Sequence, residues 1–399
     1  MRLIIRYVAA EFLLYFSLML SASTTVLILR QVFLLTRQFV QKDVSLWHMA
    51  ELVLYALPSV LALTMPISVL AGMLMALGQL SFSGEITAMK ASGIGVHQLA
   101  PFALGMGLLF FAADFCVMEF ALPWGNRQFS HLRWEISRRY PTLILTEGSV
   151  MRTFEREKIL WMYERDNLET GRLENVRVWQ SYETGIPTFS VAEEGAVETV
   201  NGRSVLALYN GSTYEPGDKD QPETAAWRKF DRQAIYLPME DETRGTTFRS
   251  TSFRAMRMGD ILSEVEKLEK RLIESPSDYT SVYLRSSIYK AWVEWHKKLS
   301  IPFACLAFAL LSVPIGALTR RSGFMAGLVI GLPLIIVYYV MLRAGEDIGI
   351  LLGASQDGGG SLLGPLFESA WLGAGLGVWL PNIPPLAMGI YLTIRMARR

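Results

Sequence analysis

The first candidate for chemistry in this sequence is a short polar stretch that holds one acid and one base. Glu85 and Lys90 belong to a polar stretch, residues 83–95 with the sequence SGEITAMKASGIG, which separates two long apolar runs. A stretch this short cannot fold alone, and unpaired charges are too costly to remain in lipid. We therefore predict a small polar helix that is held at the membrane face by the apolar helices on either side. Such a helix suits contact with something in the aqueous phase.

Two further pairs of acids could bind protons, as intramembrane acids do in ion-coupled carriers. Asp114 and Glu119 lie in one apolar run, and Glu346 and Asp347 lie in another. Both pairs lie toward the outer ends of their runs, which favours solvation at the membrane surface. His296, in the sequence EWHKK, is predicted to be an interfacial anchor rather than a catalytic group, because aromatic and basic residues favour that depth.

The motifs of the commonest enzymes are missing from the sequence. It has no GxxxxGK[ST] loop for nucleotide phosphates, and no HExxH, paired CxxC or GxSxG for metal or nucleophilic chemistry. Its four histidines are scattered and form no ligand spacing. The chain is thus predicted to catalyse no reaction and to bind no cofactor itself.

Composition indicates a membrane part joined to one soluble domain. The sequence is 51% hydrophobic with a mean hydropathy of +0.28, too apolar for a soluble protein of 399 residues and too charged for a pure membrane bundle. Most charges lie between residues 123 and 300, and both flanks are apolar. The net charge of +1 argues against nucleic acid as a main partner. Both cysteines lie in apolar runs, so no disulfide framework is implied.

Six apolar runs are long enough to cross the roughly 30 Å hydrocarbon core of a bilayer, which takes about 20 residues. They are residues 12–29, 52–80, 99–122, 299–318, 324–342 and 371–394. The first resembles a signal peptide, but its apolarity continues past the small residues 21–23, so we expect an uncleaved spanning helix. Pro58, Pro66 and Pro381 predict kinks or breaks. The third helix is expected to end near Pro123, and the fifth to continue to about Leu352.

The segment between the third and fourth runs is predicted to be mostly β structure. Apolar and polar residues alternate over residues 159–163, 176–182, 189–191, 205–209 and 230–237, with turn signals between them such as Asn210-Gly211. Short strands at this spacing suggest a sandwich, a jelly roll or a partly open barrel. From Met258 the period becomes helical. The predicted organisation is a first membrane half (residues 1–122), a β domain (123–257), a helical connector (258–298) and a second membrane half (299–399).

Basic residues favour a cytoplasmic location for both termini. The side of the termini carries Arg2, Arg6, Lys90, Arg320, Arg321, Arg395, Arg398 and Arg399. The polar helix lies on this side as well, and the β domain lies on the other. Arg30, Arg37 and Lys42 are exceptions, because they crowd the opposite end of the first helix.

Three groups of motifs resemble one family, the LptF/LptG lipopolysaccharide export permeases. The first is LMALGQL at residues 74–80 followed by SGEITAMKASGI, and the second is EWHKKLSIP at residues 294–302 followed by VPIG at 313–316. The third is WLPN at residues 379–382 with GIY at 389–391. The resemblance covers the whole chain: three spans, a β domain and three spans. The sequence ITAM at residues 86–89 and the short amino terminus are more similar to LptF than to LptG.

The resemblance implies the permease subunit of an ABC transporter that extracts lipopolysaccharide from the outer leaflet of the inner membrane of a Gram-negative bacterium. The cargo would pass to an LptC-like periplasmic bridge protein. The chain would pair with an LptG-like permease and sit on an LptB-like ATPase dimer, which holds the ATP and Mg²⁺. The β domain would be a periplasmic jelly roll. The polar helix would be the coupling helix, with the ATPase-coupling residues Ser83, Gly84, Glu85, Ile86, Met89, Lys90 and Gly93.

Three arginines are candidates for binding the phosphates of such a cargo. Arg30, Arg37 and Arg343 are expected to emerge at the surface of the outer leaflet, where a lipopolysaccharide molecule carries phosphates. Arginine binds phosphate through two parallel charge-assisted hydrogen bonds. The alternative is that these side chains reach the interface and pair with ordinary lipid headgroups.

Other functions stay open beside lipopolysaccharide export. One is ABC-type export of another amphiphilic lipid, and another is an ion-coupled lipid carrier that needs no ATPase. A third is a membrane-tethered assembly protein, for which charge reversal at Glu85 would be silent.

Overall fold

The computed structural model describes residues 2–39, 45–139, 151–153, 158–162, 165–167, 172–181, 188–200, 203–215, 226–236, 253–274, 278–318, 325–354 and 370–398. The α-helices of these residues are α1 (Arg2–Phe39), α2 (Leu46–Phe82), α3 (Glu85–Ala91), α4 (Ala100–Cys116), α5 (Leu122–Arg139), α6 (Met258–Glu274), α7 (Asp278–Leu318), α8 (Met325–Ala354), α9 (Ala370–Trp379) and α10 (Ile383–Ala397). The strands are β1 (Met151–Thr153), β2 (Lys158–Met162), β3 (Arg165–Asn167), β4 (Arg172–Ser181), β5 (Thr188–Val200), β6 (Arg203–Glu215) and β7 (Ala226–Tyr236).

The chain divides into two compact units. The first consists of Met1–Leu35, Leu46–Ser130 and Ser250–Arg399. The second consists of Thr36–Ser45 and His131–Arg249.

In the part of the chain that the structure describes, five helical segments are long and apolar enough to cross a membrane. They are Ile4–Thr36, Leu46–Phe82, Val96–Arg133, Leu284–Leu318 and Gly327–Asp347. These segments overlap the first five predicted runs, in agreement with a membrane helical bundle. The sixth predicted run forms two shorter helices, α9 and α10, joined by the 3₁₀ turn Leu380–Asn382 at the predicted proline break. A sixth crossing stays a prediction.

Prolines do not interrupt α2, which is one helix with Pro58 and Pro66 inside it. Each proline leaves the carbonyl four residues earlier without its helical donor. In a membrane bundle, neighbouring helices and hydroxyl side chains can satisfy backbone groups near such a site. The hydroxyl of Tyr339 on α8 donates to the carbonyl of Leu63 at 2.6 Å, one residue from the carbonyl that Pro66 leaves without a donor.

The prediction that the third helix ends near Pro123 is wrong. Helix α4 continues through a π-helical turn, Val117–Ala121, into α5. In a regular α-helix the proline ring would clash with the carbonyl four residues earlier, which here belongs to Glu119. That carbonyl lies inside the π turn, whose wider hydrogen-bonding pattern changes its position relative to the ring.

Helices α2 and α7 form the centre of the first unit. In each, 78% of the most apolar window is buried, against 11% to 22% in the other three candidate spans. The outer helices therefore expose apolar side chains, as a lipid environment requires.

Helix α6 packs along the first part of α7. Ile261, Val265 and Leu268 are buried against Leu284 and Ile288, which confirms the helical face predicted after Met258. Because α7 is continuous, the last part of the predicted connector and the fourth span form a single helix.

The described strands of the second unit form one antiparallel sheet. Its strand order is β1-β2-β4-β5-β6-β7, and β3 pairs with β4. From β4 to β7 each strand pairs with the next one in the chain, which is a meander. The five predicted strand regions lie on β2 and β4–β7, whereas β1 and β3, of three residues each, were not predicted. A second sheet that would close a jelly roll stays a prediction.

The predicted turn at Asn210-Gly211 is wrong, because both residues lie within β6. Asn210 has a φ of 50°, and Asn175 in β4 has a φ of 54°. Asparagine adopts this left-handed conformation more readily than most residues with a side chain. The residue pairs before and after each asparagine have the same strand register. The hydrogen-bonded ladder is therefore interrupted at the asparagine, but the two strands are not shifted relative to each other.

Candidate functional sites

The polar stretch forms the short helix α3, and a glycine lies beside each end. Gly84 has a φ of 80° and Gly93 a φ of 81°, in the left-handed region that side chains disfavour. A Cβ atom at either position would meet nothing within 4 Å, so the backbone conformation rather than lack of space favours glycine there. These two predicted site residues thus shape the turns around the helix.

One face of α3 is packed into the bundle. Ile86 is 3% exposed and Met89 is 9% exposed, in a cluster that includes Val8 of α1 and Val313 and Ala317 of α7. These contacts join the helix firmly to the spans. The same burial leaves Ile86 and Met89 little surface for a partner, so they anchor α3.

The other face of α3 is accessible. Ser83, Thr87 and Lys90 are exposed, and Glu85 is half-buried. The hydroxyl of Ser83 donates to the Glu85 carboxylate at 2.9 Å, and the hydroxyl of Tyr7 on α1 donates to the same oxygen at 3.3 Å. Glu85 is therefore held in place by the turn before it and by the first helix.

A group of paired charges lies at the end of the spans opposite α3. Between Ala100, near α3, and Glu119, in this group, α4 and its π turn rise about 28 Å. Lys298 on α7 is only 3% exposed, and its ammonium group donates to the carbonyl of Met118 at 2.9 Å and to Glu119 at 3.2 Å. The same carboxylate accepts from the backbone N–H of Met258 at 3.1 Å. One acid thus joins the π turn, α7 and the start of α6.

Next to this acid lies a cavity of about 190 Å³ with charged walls. Its cationic lining residues are Arg254, Lys297, Lys298 and Arg343, and its acidic ones are Glu294 and Glu346. Lys297 pairs with Glu294 at 2.9 Å and with Glu346 at 3.0 Å. A cavity with this many N–H donors can bind an anionic group, provided that the acids release some of them.

Of the predicted phosphate-binding arginines whose side chains the structure describes, Arg343 lines the charged cavity and Arg30 does not. Arg343 lines the cavity and pairs with Glu346 at 3.2 Å and with Asp347 at 3.4 Å. Arg30 is exposed on α1 and is not among the residues lining the cavity. The side chain of Arg37 lies outside the described residues.

His296 is engaged through both ring nitrogens. Its Nε2 lies 3.1 Å from the carbonyl of Trp371, and the indole N–H of Trp379 donates to its Nδ1 at 3.4 Å. The imidazole is 5% exposed. This arrangement favours the anchoring role over a catalytic one. Among the described residues, no group of three or more His, Cys, Asp or Glu side chains could hold a metal ion.

The predicted solvation of the membrane acids is wrong for three of the four. Asp114 is 0% exposed, and within the described part of the chain neither of its carboxylate oxygens has a hydrogen-bond partner. Glu119 and Glu346 are instead paired with cations. Asp347 remains about half exposed, beside Arg343.

Sequence reasoning missed Lys298, Lys297 and Arg254 as site residues. The EWHKK motif was visible, but nothing in one sequence pairs Lys298 with an acid 179 positions away. Arg254 belongs to a short 3₁₀ turn, and its backbone carbonyl accepts from Asn126 at 3.4 Å. Only the folded chain brings these groups to one cavity.

Comparison with known families gives one match over nearly the whole chain. A family model described as lipopolysaccharide export system permease LptF/LptG matches residues 6–395. The match does not distinguish LptF from LptG. No curated protein matches the chain.

Proposed function

The chain belongs to the LptF/LptG family of lipopolysaccharide export system permeases, and on this premise we propose that it is the permease subunit of an ABC transporter. It would extract lipopolysaccharide from the outer leaflet of the inner membrane and pass it to a periplasmic bridge. ATP would be hydrolysed by a separate LptB-like ATPase dimer, and the proposed partners include an LptG-like permease and an LptC-like bridge protein. The closer resemblance to LptF stays a prediction.

We propose six crossings, with both termini in the cytoplasm and the β domain in the periplasm. The support is the basic character of the side that carries α3 and the termini. In this orientation α3 meets the cytoplasm, and the charged cavity lies at the level of the outer leaflet.

The observation that carries the proposal is the anchoring of α3. Ile86 and Met89 fix the helix against α1 and α7, and the accessible acid Glu85 is positioned by Ser83 and Tyr7. A short helix joined firmly to several spans transmits a displacement to them. It thus has the properties of an element that couples an ATPase to the membrane part.

The proposed mechanism has three steps. The cargo enters laterally from the outer leaflet between the first and fifth helices of partner subunits. ATP binding closes the ATPase dimer, and α3 carries this movement into the spans. The space that the two permease subunits enclose, which is distinct from the charged cavity within this chain, then narrows and drives the amphiphile into the β domain.

We propose that Arg343, with Arg30 and Arg37, contacts the phosphates of the cargo. Arg343 is supported best, because its side chain is 73% exposed and borders a cavity rich in N–H donors. A phosphate would compete with Glu346 and Asp347 for its guanidinium group.

Charge reversal at Glu85 tests the coupling. We expect Glu85→Lys to remove the ATPase from the purified complex, because the substituted cation would repel a site that accepts an acid. Glu269→Lys, an exposed charge reversal on α6, is the matched control and should leave co-purification unchanged. Full recovery of the ATPase with Glu85→Lys would contradict the proposal.

A second function, an ion-coupled lipid carrier, is favoured by one observation, the buried carboxyl of Asp114. It predicts cargo transfer in proteoliposomes that contain no ATPase, driven by a proton gradient and abolished by Asp114→Asn. Transfer that depends on ATP and persists after collapse of the gradient would exclude this function.

A further inference from the structure

Asp114 is an acid in an apolar place. It lies on α4 within the candidate span Val96–Arg133, with 0% of its surface exposed. Neither carboxylate oxygen has a hydrogen-bond partner among the described residues. Buried acids in soluble and membrane proteins are usually paired with a cation or with several N–H donors, so this one requires an explanation.

Within the described segments, the groups that face Asp114 carry no positive charge. They are the thiol of Cys305 on α7 and the phenols of Tyr338 and Tyr339 on α8, all of which interact with it electrostatically. The hydroxyl of Tyr339 already donates to the carbonyl of Leu63. Lys298, a buried cation of the same unit, is bound by Glu119.

The charged form of this carboxyl is therefore unfavourable in this arrangement. Moving a carboxylate from water into a poorly polar interior is unfavourable even after the surroundings relax, so a carboxyl with no compensating partner stays protonated instead. The π turn Val117–Ala121 begins three residues later, and such turns are frequent at functional sites.

We propose that Asp114 is a proton-binding site: its carboxyl is protonated while α4 packs against α7, and it ionises when that contact opens to water. On opening, the carboxyl O–H bond breaks, the proton passes to water and the carboxylate remains on the chain. The ligand of the site is thus a single proton. The proposal depends neither on the cargo nor on the ATPase.

The contact that keeps Asp114 dry includes a glycine two turns away on the same face of α4. A Cβ atom at Gly107 would lie 2.9 Å from the Cβ of Ala309 and 3.0 Å from the Cα of Leu306 on α7. A larger side chain at this position would force the two helices apart. Gly105, on the exposed side of α4, has nothing within 4 Å of the corresponding point and provides the matched control.

Infrared difference spectroscopy tests the occupancy of the site. The full chain is purified with the subunits that it retains, in lipid nanodiscs at neutral pH, and compared with Asp114→Asn, which is matched in size. We expect the carbonyl stretch of a protonated carboxyl in the wild type and its loss in the variant. A spectrum without any such band that depends on Asp114 would overturn the proposal.

Gly107→Leu and Gly105→Leu test the release. We expect Gly107→Leu to lose the band at neutral pH and to regain it on acidification, and Gly105→Leu to keep it as the wild type does. If Gly107→Leu does not fold, Gly107→Ala replaces it, because its Cβ alone already meets α7. A band that persists with unchanged pH dependence in the folded Gly107 variant would overturn the release of the proton on opening.

Discussion

At the scale of single residues, the charges near the charged cavity are stabilised in pairs. Lys298 is buried more deeply than the other cations of the described ion pairs, and it is compensated by the carbonyl of Met118 and the carboxylate of Glu119. Glu119 also accepts from the N–H of Met258 at the start of α6. Loss of one partner would therefore leave a buried charge and disturb the junction of α6 with the spans.

We expect Lys298→Met to lower the free energy of unfolding in detergent by about 3–5 kcal/mol, the usual cost of breaking a buried ion pair from one side. The double variant Lys298→Met, Glu119→Gln should recover much of this loss, because it leaves no unpaired charge. Lys270→Met removes a pair whose side chains are both 68% exposed. Its effect should be much smaller than that of Lys298→Met, because solvent screens an exposed ion pair. Simple additivity of the two substitutions in the double variant would contradict this account.

Arg343 provides the second prediction at this scale. Arg343→Ala should reduce photo-crosslinking of lipopolysaccharide at the charged cavity at least about tenfold, because a charge-assisted hydrogen bond contributes about 1.5–3 kcal/mol. Arg285→Ala, at an exposed position on α7 outside the cavity lining, is the control. Equal crosslinking in both variants would remove Arg343 from the substrate path.

At the scale of secondary-structure elements, the spans approach one another closely at glycines. A Cβ atom at Gly72 of α2 would lie 2.8 Å from the backbone nitrogen and 2.9 Å from the Cα of Phe16 on α1. Backbone atoms cannot rotate away as a side chain can. The crossing of α1 and α2 therefore depends on the missing side chain.

Gly72→Ala is expected to destabilise the bundle by about 1–3 kcal/mol, as overpacking does. Gly105→Ala should be neutral or stabilising by up to about 1 kcal/mol, because alanine is the better helix former and the position is open. Thermal denaturation of both variants in one detergent measures the difference. The same change in both would show that helix propensity, and not the contact with Phe16, decides the effect.

The sequence predicted the apolar runs, the polar helix and most strands, because each depends on local periodicity. It did not predict the continuity of α2 through Pro58 and Pro66, since that depends on donors from other helices. The continuation of β6 through Asn210 was not predicted, because asparagine fits an irregular strand position as well as it fits a turn. The burial of Asp114 and the pairing of Lys298 arise from contacts between distant parts of the chain.

At the scale of the whole molecule, the first unit joins two polar ends through shared helices. Helix α7 runs from the pairing site of Lys298 to the cluster that holds Ile86 and Met89 of α3. Helix α4 and its π turn run between the same ends and carry Glu119. A displacement of α3 thus has two continuous helices through which to reach the charged cavity.

The most direct test of this account is lipopolysaccharide extraction from proteoliposomes that contain the chain and its partner permease, with the ATPase dimer added or omitted. We predict transfer to a periplasmic bridge protein only when the ATPase and ATP are both present. Equal transfer without the ATPase would contradict the central claim that this chain converts the movement of another protein into lipid export.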